Sequence, residues 1–204
     1  MSELKQFLLS LLEWIGGSTS RLITVLVLCF FVMCGWVVYT EKDNFMASYR
    51  AQQALPRMNG EYEKAANFIL KNSQAELIAI FEVNTLLNTR KLVYFVTRKG
   101  GQEKGMYGTD VGLLTKNYDN NTDVISMMSG KIPCQTYEKP QSLMGFIYVE
   151  KGTKWMCRIS VPAEPGIFIG QISVGWTEVP ADKQSIETQQ TVMTVASGLL
   201  YNKK

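Results

Sequence analysis

LITVLVLCFFVMCGWVVYT, residues 22–40, is the stretch from which the organisation of the whole chain follows. It carries no charge, and Arg21 and Glu41 stand just outside it. At about 1.5 Å of rise per residue it spans about 28 Å, close to the hydrocarbon thickness of a bilayer. A buried helix of a soluble domain seldom stays apolar on every face for this length. The stretch therefore reads as one membrane helix, residues 21–40, with Leu22, Val27, Phe31, Gly35, Trp36 and Tyr39 along it. Thr24 can bond the helix backbone, and Gly35 offers one small contact point rather than a GxxxG pair. Cys29 and Cys34 point about 140° apart on such a helix and cannot readily bridge.

The tail before the span, residues 1–20, lacks the pattern of a secretory leader, because its charges and apolar residues are interleaved. A helical projection puts Leu4, Phe7, Leu8, Leu11, Leu12 and Ile15 on one face with Trp14 at the border. Glu3, Lys5, Gln6 and Glu13 take the other side. Such a helix either lies in the lipid headgroup region or packs on a partner's helix. Gly16 and Gly17 separate it from the span, so the two helices are jointed. The basic residues flanking the span, Lys5 and Arg21 before it and Lys42, Arg50 and Arg57 after it, do not assign an orientation.

Composition removes several function classes. A net charge of +3 over 204 residues argues against a nucleic-acid partner. The chain has no histidine, which takes away the commonest general base, the commonest zinc ligand and any Ser–His or Cys–His pair. No nucleophile–base pair, metal cluster or cofactor motif emerges, and the chain is read as a non-enzyme without cofactors. The turn RKGGQEKG, residues 98–105, fits no phosphate-loop template and reads as solvated.

Beyond the span, residues 41–74 read as a helical stalk broken at Pro56, with Ala65, Phe68 and Ile69 turned inward and Tyr49, Leu55 and Met58 forming an apolar strip. Residues 75–204 read as a folded domain. Strand periodicity appears at residues 76–83, 91–97, 144–150, 155–161 and 167–176. Met144, Phe146 and Tyr148 share one face of the third of these, and Trp155, Cys157, Ile159 and Val161 one face of the fourth. In the last, Phe168, Ile172, Val174 and Trp176 share a face with Gly170, which permits a close approach. One or two helical turns are expected near residues 124–128, and a final helix over residues 181–200 gathers Ile186, Val192, Met193, Ala196, Leu199 and Leu200 on one side. The expected class is α+β, a central antiparallel sheet flanked by helices, in an order resembling small PAS or Cache sensor modules.

Cys134 and Cys157 are a disulfide candidate if the domain is outside the cytoplasm, worth roughly 3 kcal/mol. The alternative is two unpaired buried thiols. Asp119 and Asp123, four apart on a short helix, read as a solvated face. Asn120-Asn121-Thr122 fits a glycosylation acceptor in a eukaryotic secretory route.

The layout resembles a known family. A short amphipathic tail, one span near residue 22, a stalk and an α+β domain make the plan of the holins of T-even bacteriophages. The segment MCRISVPAEPGIFIGQISVGWTEVPADKQSIETQQTVMTVASGLL, from Met156, looks like that family's C-terminal pattern: Cys157 in a strand, a turn, a Gly170-containing strand closing on Trp176, then a terminal helix. Residues 75–97 are similar in kind but looser. The resemblance implies a protein of the host inner membrane, with its tail in the cytoplasm and its domain in the periplasm. It further implies association with other copies and with lipid into lesions that release an endolysin, and a periplasmic antiholin that restrains them. The other reading is a single-pass receptor or envelope scaffold whose exported sensor-like domain binds a ligand or protein.

Overall fold

The computed structural model describes residues 2–54 and 56–201, with the side chains of residues 2–4, 8, 11, 12, 15, 45 and 48–54 outside the described set. The chain forms two compact units, Met1–Leu55 and Pro56–Lys204. The first is helical: α1 runs Ser2–Gly16 and α2 runs Thr19–Ala54. The joint expected at Gly16 and Gly17 is present, and the Arg21 guanidinium folds back to lie 4.9 Å from the centre of the Trp14 ring. Helix α2 continues unbroken through the polar residues after the span and stops at Ala54, two residues short of Pro56. Proline at 56 removes a backbone donor and disfavours helix in the residue before it.

The second unit is α+β. Its elements are α3 Tyr62–Asn72, β1 Leu77–Asn84, β2 Thr89–Thr97, β3 Gly101–Gln102, α4 Tyr118–Met128, β4 Cys134–Thr136, α5 Leu143–Glu150, β5 Trp155–Val161, β6 Gly170–Trp176 and α6 Lys183–Leu199. Among the described residues the strands form one six-stranded sheet in the order β3-β2-β1-β6-β5-β4. Every neighbouring pair is antiparallel.

Both faces of this sheet are covered, and that explains why its middle strands are buried along their whole length rather than alternately. On one face Ile78, Ile80, Cys157, Ile159, Ile172 and Val174 pack beneath Ala65, Ala66 and Ile69 of α3 and Met193 and Ala196 of α6. Each fully buried large aliphatic side chain there contributes about 1.5–3 kcal/mol over an exposed one. On the other face Leu77, Ala79, Phe81, Leu92, Phe95 and Met156 meet Met144 and Tyr148 of α5 and the ring of Tyr137. A third cluster joins Val124 and Met127 of α4 to Leu113 and Phe168.

Several expectations need correction. Residues 144–150 are helical, not a strand. Their buried members are Met144, Gly145 and Tyr148, a helical spacing, whereas Phe146 is exposed. Strand β5 has no edge for them, because it pairs with β6 on one side and β4 on the other. The helix Tyr62–Asn72, expected in the stalk, buries Ala65, Ala66 and Ile69 in the domain core. Phe168 leaves the face of Ile172, Val174 and Trp176 and joins the α4 cluster, because the last strand begins only at Gly170. The close approach expected at Gly170 is real: a Cβ there would collide with the Met58 sulfur. Met58 is thereby part of the core; Tyr49 and Leu55 of the expected strip lie outside the described side chains.

Candidate functional site

The first candidate region is the apolar helix. Residues Thr19–Asn44 form, among the described residues, the one helix long and apolar enough to cross a membrane. No residue of its apolar window is buried. Leu22, Val27, Phe31, Trp36 and Tyr39 are all exposed large apolar residues, and nothing lies within 4 Å of where a Gly35 Cβ would stand. The Thr24 hydroxyl donates to the Ser20 carbonyl at 2.9 Å, so its polarity is absorbed by the helix itself. Cys29 and Cys34 are free and exposed. Lys42 sets its ammonium 4.7 Å from the Tyr39 ring centre at the polar end of the span. In α1, Phe7 and Trp14 are exposed; the side chains of Leu4, Leu8, Leu11, Leu12 and Ile15 lie outside the described residues.

The second is the cysteine pair. Cys134 of β4 and Cys157 of β5 are bonded, with an S–S distance of 2.08 Å. They are direct partners in the strand register. Arg158 N–H donates to the Pro133 carbonyl and Tyr137 N–H to the Lys154 carbonyl. The cysteine pair thus falls on the non-hydrogen-bonded rung, where opposed Cα atoms come closest; here they are 4.0 Å apart. The bond fastens the three-residue edge strand β4 to the sheet.

The third was not foreseen from the sequence. On the sheet face beneath α4 and α5 lies a buried polar cluster. Arg90 of β2 passes over the Phe81 ring of β1, 5.8 Å from its centre, and donates to Gln171 Oε1 of β6 at 2.9 Å and to Asn120 Oδ1 of α4 at 2.6 Å. Asn120 donates in turn to the Leu113 carbonyl at 2.9 Å. Arg158 of β5 is ion-paired with Asp123 of α4 and lies 5.4 Å from the Tyr137 ring centre. Gln135 also donates to Asp123, at 3.0 Å, and Gln171 to Ser173 Oγ at 2.7 Å. Burial, reinforced by the Arg158 charge, pulls Arg90 down to about 10. Burial pushes the Asp123 carboxyl up, against the opposing pull of Arg158.

Two expectations fall here. Asp123 does not belong to a solvated face: it is buried, although Asp119 is exposed. Asn120 is buried and hydrogen-bonded on both amide atoms, so the glycosylation acceptor is closed in the folded domain. The signal available in the sequence was the run of polar residues inside strands, Arg158 and Ser160 in β5 and Gln171 and Ser173 in β6. They alternate with the apolar positions, and alternation is equally what a solvent-facing side produces.

A fourth region is open to solvent. A groove of about 630 Å³ runs between the end of α3, the chain leaving β6 and the start of α6, lined by Ser73, Trp176, Val179, Asp182, Gln189 and Val192 among others. The arrangement offers polar contacts along a helix flank. Among the described residues no cluster of three His, Cys, Asp or Glu side chains is placed to hold a metal ion.

No protein-family model matches the chain, and no curated protein matches it significantly. Solved structures resemble its domain at low identity. The GAF domain of a two-component sensor histidine kinase from Bacillus halodurans is 9% identical, with a TM-score of 0.49 over 68% of this chain and 92% of that one. The GAF domain region of a putative membrane protein from Geobacter sulfurreducens PCA is 15% identical, with a TM-score of 0.43 over 65% of this chain and 85% of that one. A type II free methionine-R-sulfoxide reductase from Thermoplasma acidophilum is 15% identical, with a TM-score of 0.40 over 70% of this chain and 93% of that one. These are likenesses of general shape between widely different activities, and no activity is carried over from them.

Proposed function

We propose that the chain is a single-span membrane protein that acts through contacts of an exported domain and, specifically, that it is a holin of the T-even type. In this reading it accumulates in a host inner membrane with its tail in the cytoplasm and its domain in the periplasm. At a set time it assembles with other copies and with lipid into lesions that pass an endolysin. A periplasmic antiholin acts on the domain. One observation carries the reading: the helix Thr19–Asn44 has an apolar window of which no residue is buried. In a bilayer that surface is available to lipid while the protein is dispersed and to neighbouring helices when it gathers, without a buried polar group to force early assembly. Export would put Cys134 and Cys157, which the strand register sets opposite each other, in a compartment where their bond persists.

A second reading is a single-pass receptor or envelope scaffold. It is favoured by the antiparallel sheet covered by helices on both faces, an order that resembles sensor modules, and by the solvent-open groove beside α6. Inducible expression in a bacterium separates the two, with growth and membrane potential followed and an endolysin supplied in parallel. The holin reading expects a lag, then an abrupt halt with depolarisation, and lysis only with endolysin present. Uninterrupted growth with intact protein in the membrane moves the assignment to the receptor or scaffold.

A further inference from the structure

The buried polar cluster beneath α4 and α5 contains more positive charge than its partners neutralise. Arg90 and Arg158 are 4% and 6% exposed; the buried carboxylate facing them is Asp123, and the other that interacts with Arg90, Asp110, is exposed to solvent. Asp123 is engaged by Arg158 and by Gln135. Arg90 meets only neutral oxygens, those of Gln171 and Asn120, and its Nε–H has no acceptor. The hydroxyl of Tyr148 on α5 is buried at the same place beside Ser173, and the Oε1 of Gln141 is buried without a partner; its amide turns into a donor on rotation. A small cavity, about 10 Å³, lies among these groups, lined by Arg90, Arg158, Tyr148, Gln141, Ser142 and Gln171. That is about the room one water requires, so a monatomic ion fits and an oxyanion such as sulfate does not.

We propose that this cavity is a binding site for one halide ion, chloride under ordinary salt conditions. A water would accept from Arg90 Nε and leave the excess charge in place. A chloride accepts from Nε and from the Tyr148 hydroxyl and also balances the second guanidinium, which a low-dielectric interior strongly favours. The ion would join β2, β5 and α5, and so hold the covering helix to the sheet. The site stands independently of the function proposed above.

The test uses the full chain in detergent. Equilibrium dialysis with radiolabelled chloride is expected to show saturable binding of about one ion per chain, matched by a rise of roughly 5 °C in Tm between chloride-free gluconate buffer and saturating chloride at constant ionic strength. Bromide should replace chloride and sulfate should not. Arg90→Gln should abolish both the binding and the chloride dependence of Tm, whereas Lys151→Gln on the surface should keep them. Absence of saturable chloride binding in the unmodified chain overturns the proposal whether or not the Arg90 variant folds. Retention of binding by a folded Arg90→Gln protein overturns it as well.

Discussion

At the scale of single residues the most exacting contact is Asp123 with Arg158, an ion pair with both side chains less than a tenth exposed. Taking two charges out of water is costly, and the pair is tolerable only while each has the other. Asp123→Asn should therefore cost about 3–5 kcal/mol, because it strands a buried guanidinium. The double variant Asp123→Leu with Arg158→Met should recover most of that loss by filling the same space without charge. Urea unfolding of the full chain in detergent measures both, and a single variant of wild-type stability would mean that the pair is solvated. Nothing in the spacing of Asp119 and Asp123 separates them, since a helix projection shows that two residues share a side but not whether that side meets the sheet or water. The same ambiguity hides Asn120, while Arg90 falls outside the strand pattern, which starts at residue 91 although β2 starts at Thr89. Gly170 was legible, because a glycine in an otherwise apolar strand points to a close neighbour, and Met58 is that neighbour.

Whole elements were legible where a period had only one interpretation. Strands β1, β2 and β5, the helix after Asp182 and the long apolar α2 lie where their patterns placed them, within a few residues. Helix α5 departs from the strand expected there because an eight-residue apolar run satisfies both periods, and only the pairing of β5 with β4 and β6 decides against a strand. Helix α3 reads as stalk because it precedes the first strand pattern, yet its short apolar stripe of two alanines and an isoleucine suffices against a helix as close as α6. Helix α6 offers a test of local electrostatics. Asp182 is its N-cap, accepting from Ser185 N–H at 2.7 Å. That backbone hydrogen bond holds the carboxyl below its ordinary range. A depressed folded pKa means that the cap's contribution is complete above the unfolded value, roughly pH 4, and is lost as pH falls through the folded one. Asp182→Asn, which keeps a capping oxygen without the charge, should accordingly flatten the fall in stability below about pH 4. Urea unfolding across that range checks it, and identical slopes for variant and parent would remove the cap from the account.

For the whole molecule, the cysteines report which side of a membrane the second unit occupies. The four of them divide between two environments: Cys29 and Cys34 in the apolar helix, Cys134 and Cys157 across β4 and β5. The strand register brings the second pair together in the folded domain wherever it is made, so geometry alone does not determine their redox state. The compartment does. A reducing cytosol keeps such thiols apart, and an oxidising exterior closes them. Alkylation of the full chain after rapid acid quenching of bacterial cells should therefore find two free thiols, Cys29 and Cys34, and two that appear only after reduction. Substituting Leu28→Lys and Val32→Lys puts two like charges into the span at roughly 2.5–3.5 kcal/mol each, enough to hinder insertion. In that variant Cys134 and Cys157 should become free while the protein remains in the cytosol. The opposite pattern, with every thiol free in the unaltered chain, would place the domain on the cytoplasmic side. An endolysin-releasing assembly gated from the periplasm would then be ruled out, and a cytoplasm-facing scaffold would be the reading left standing.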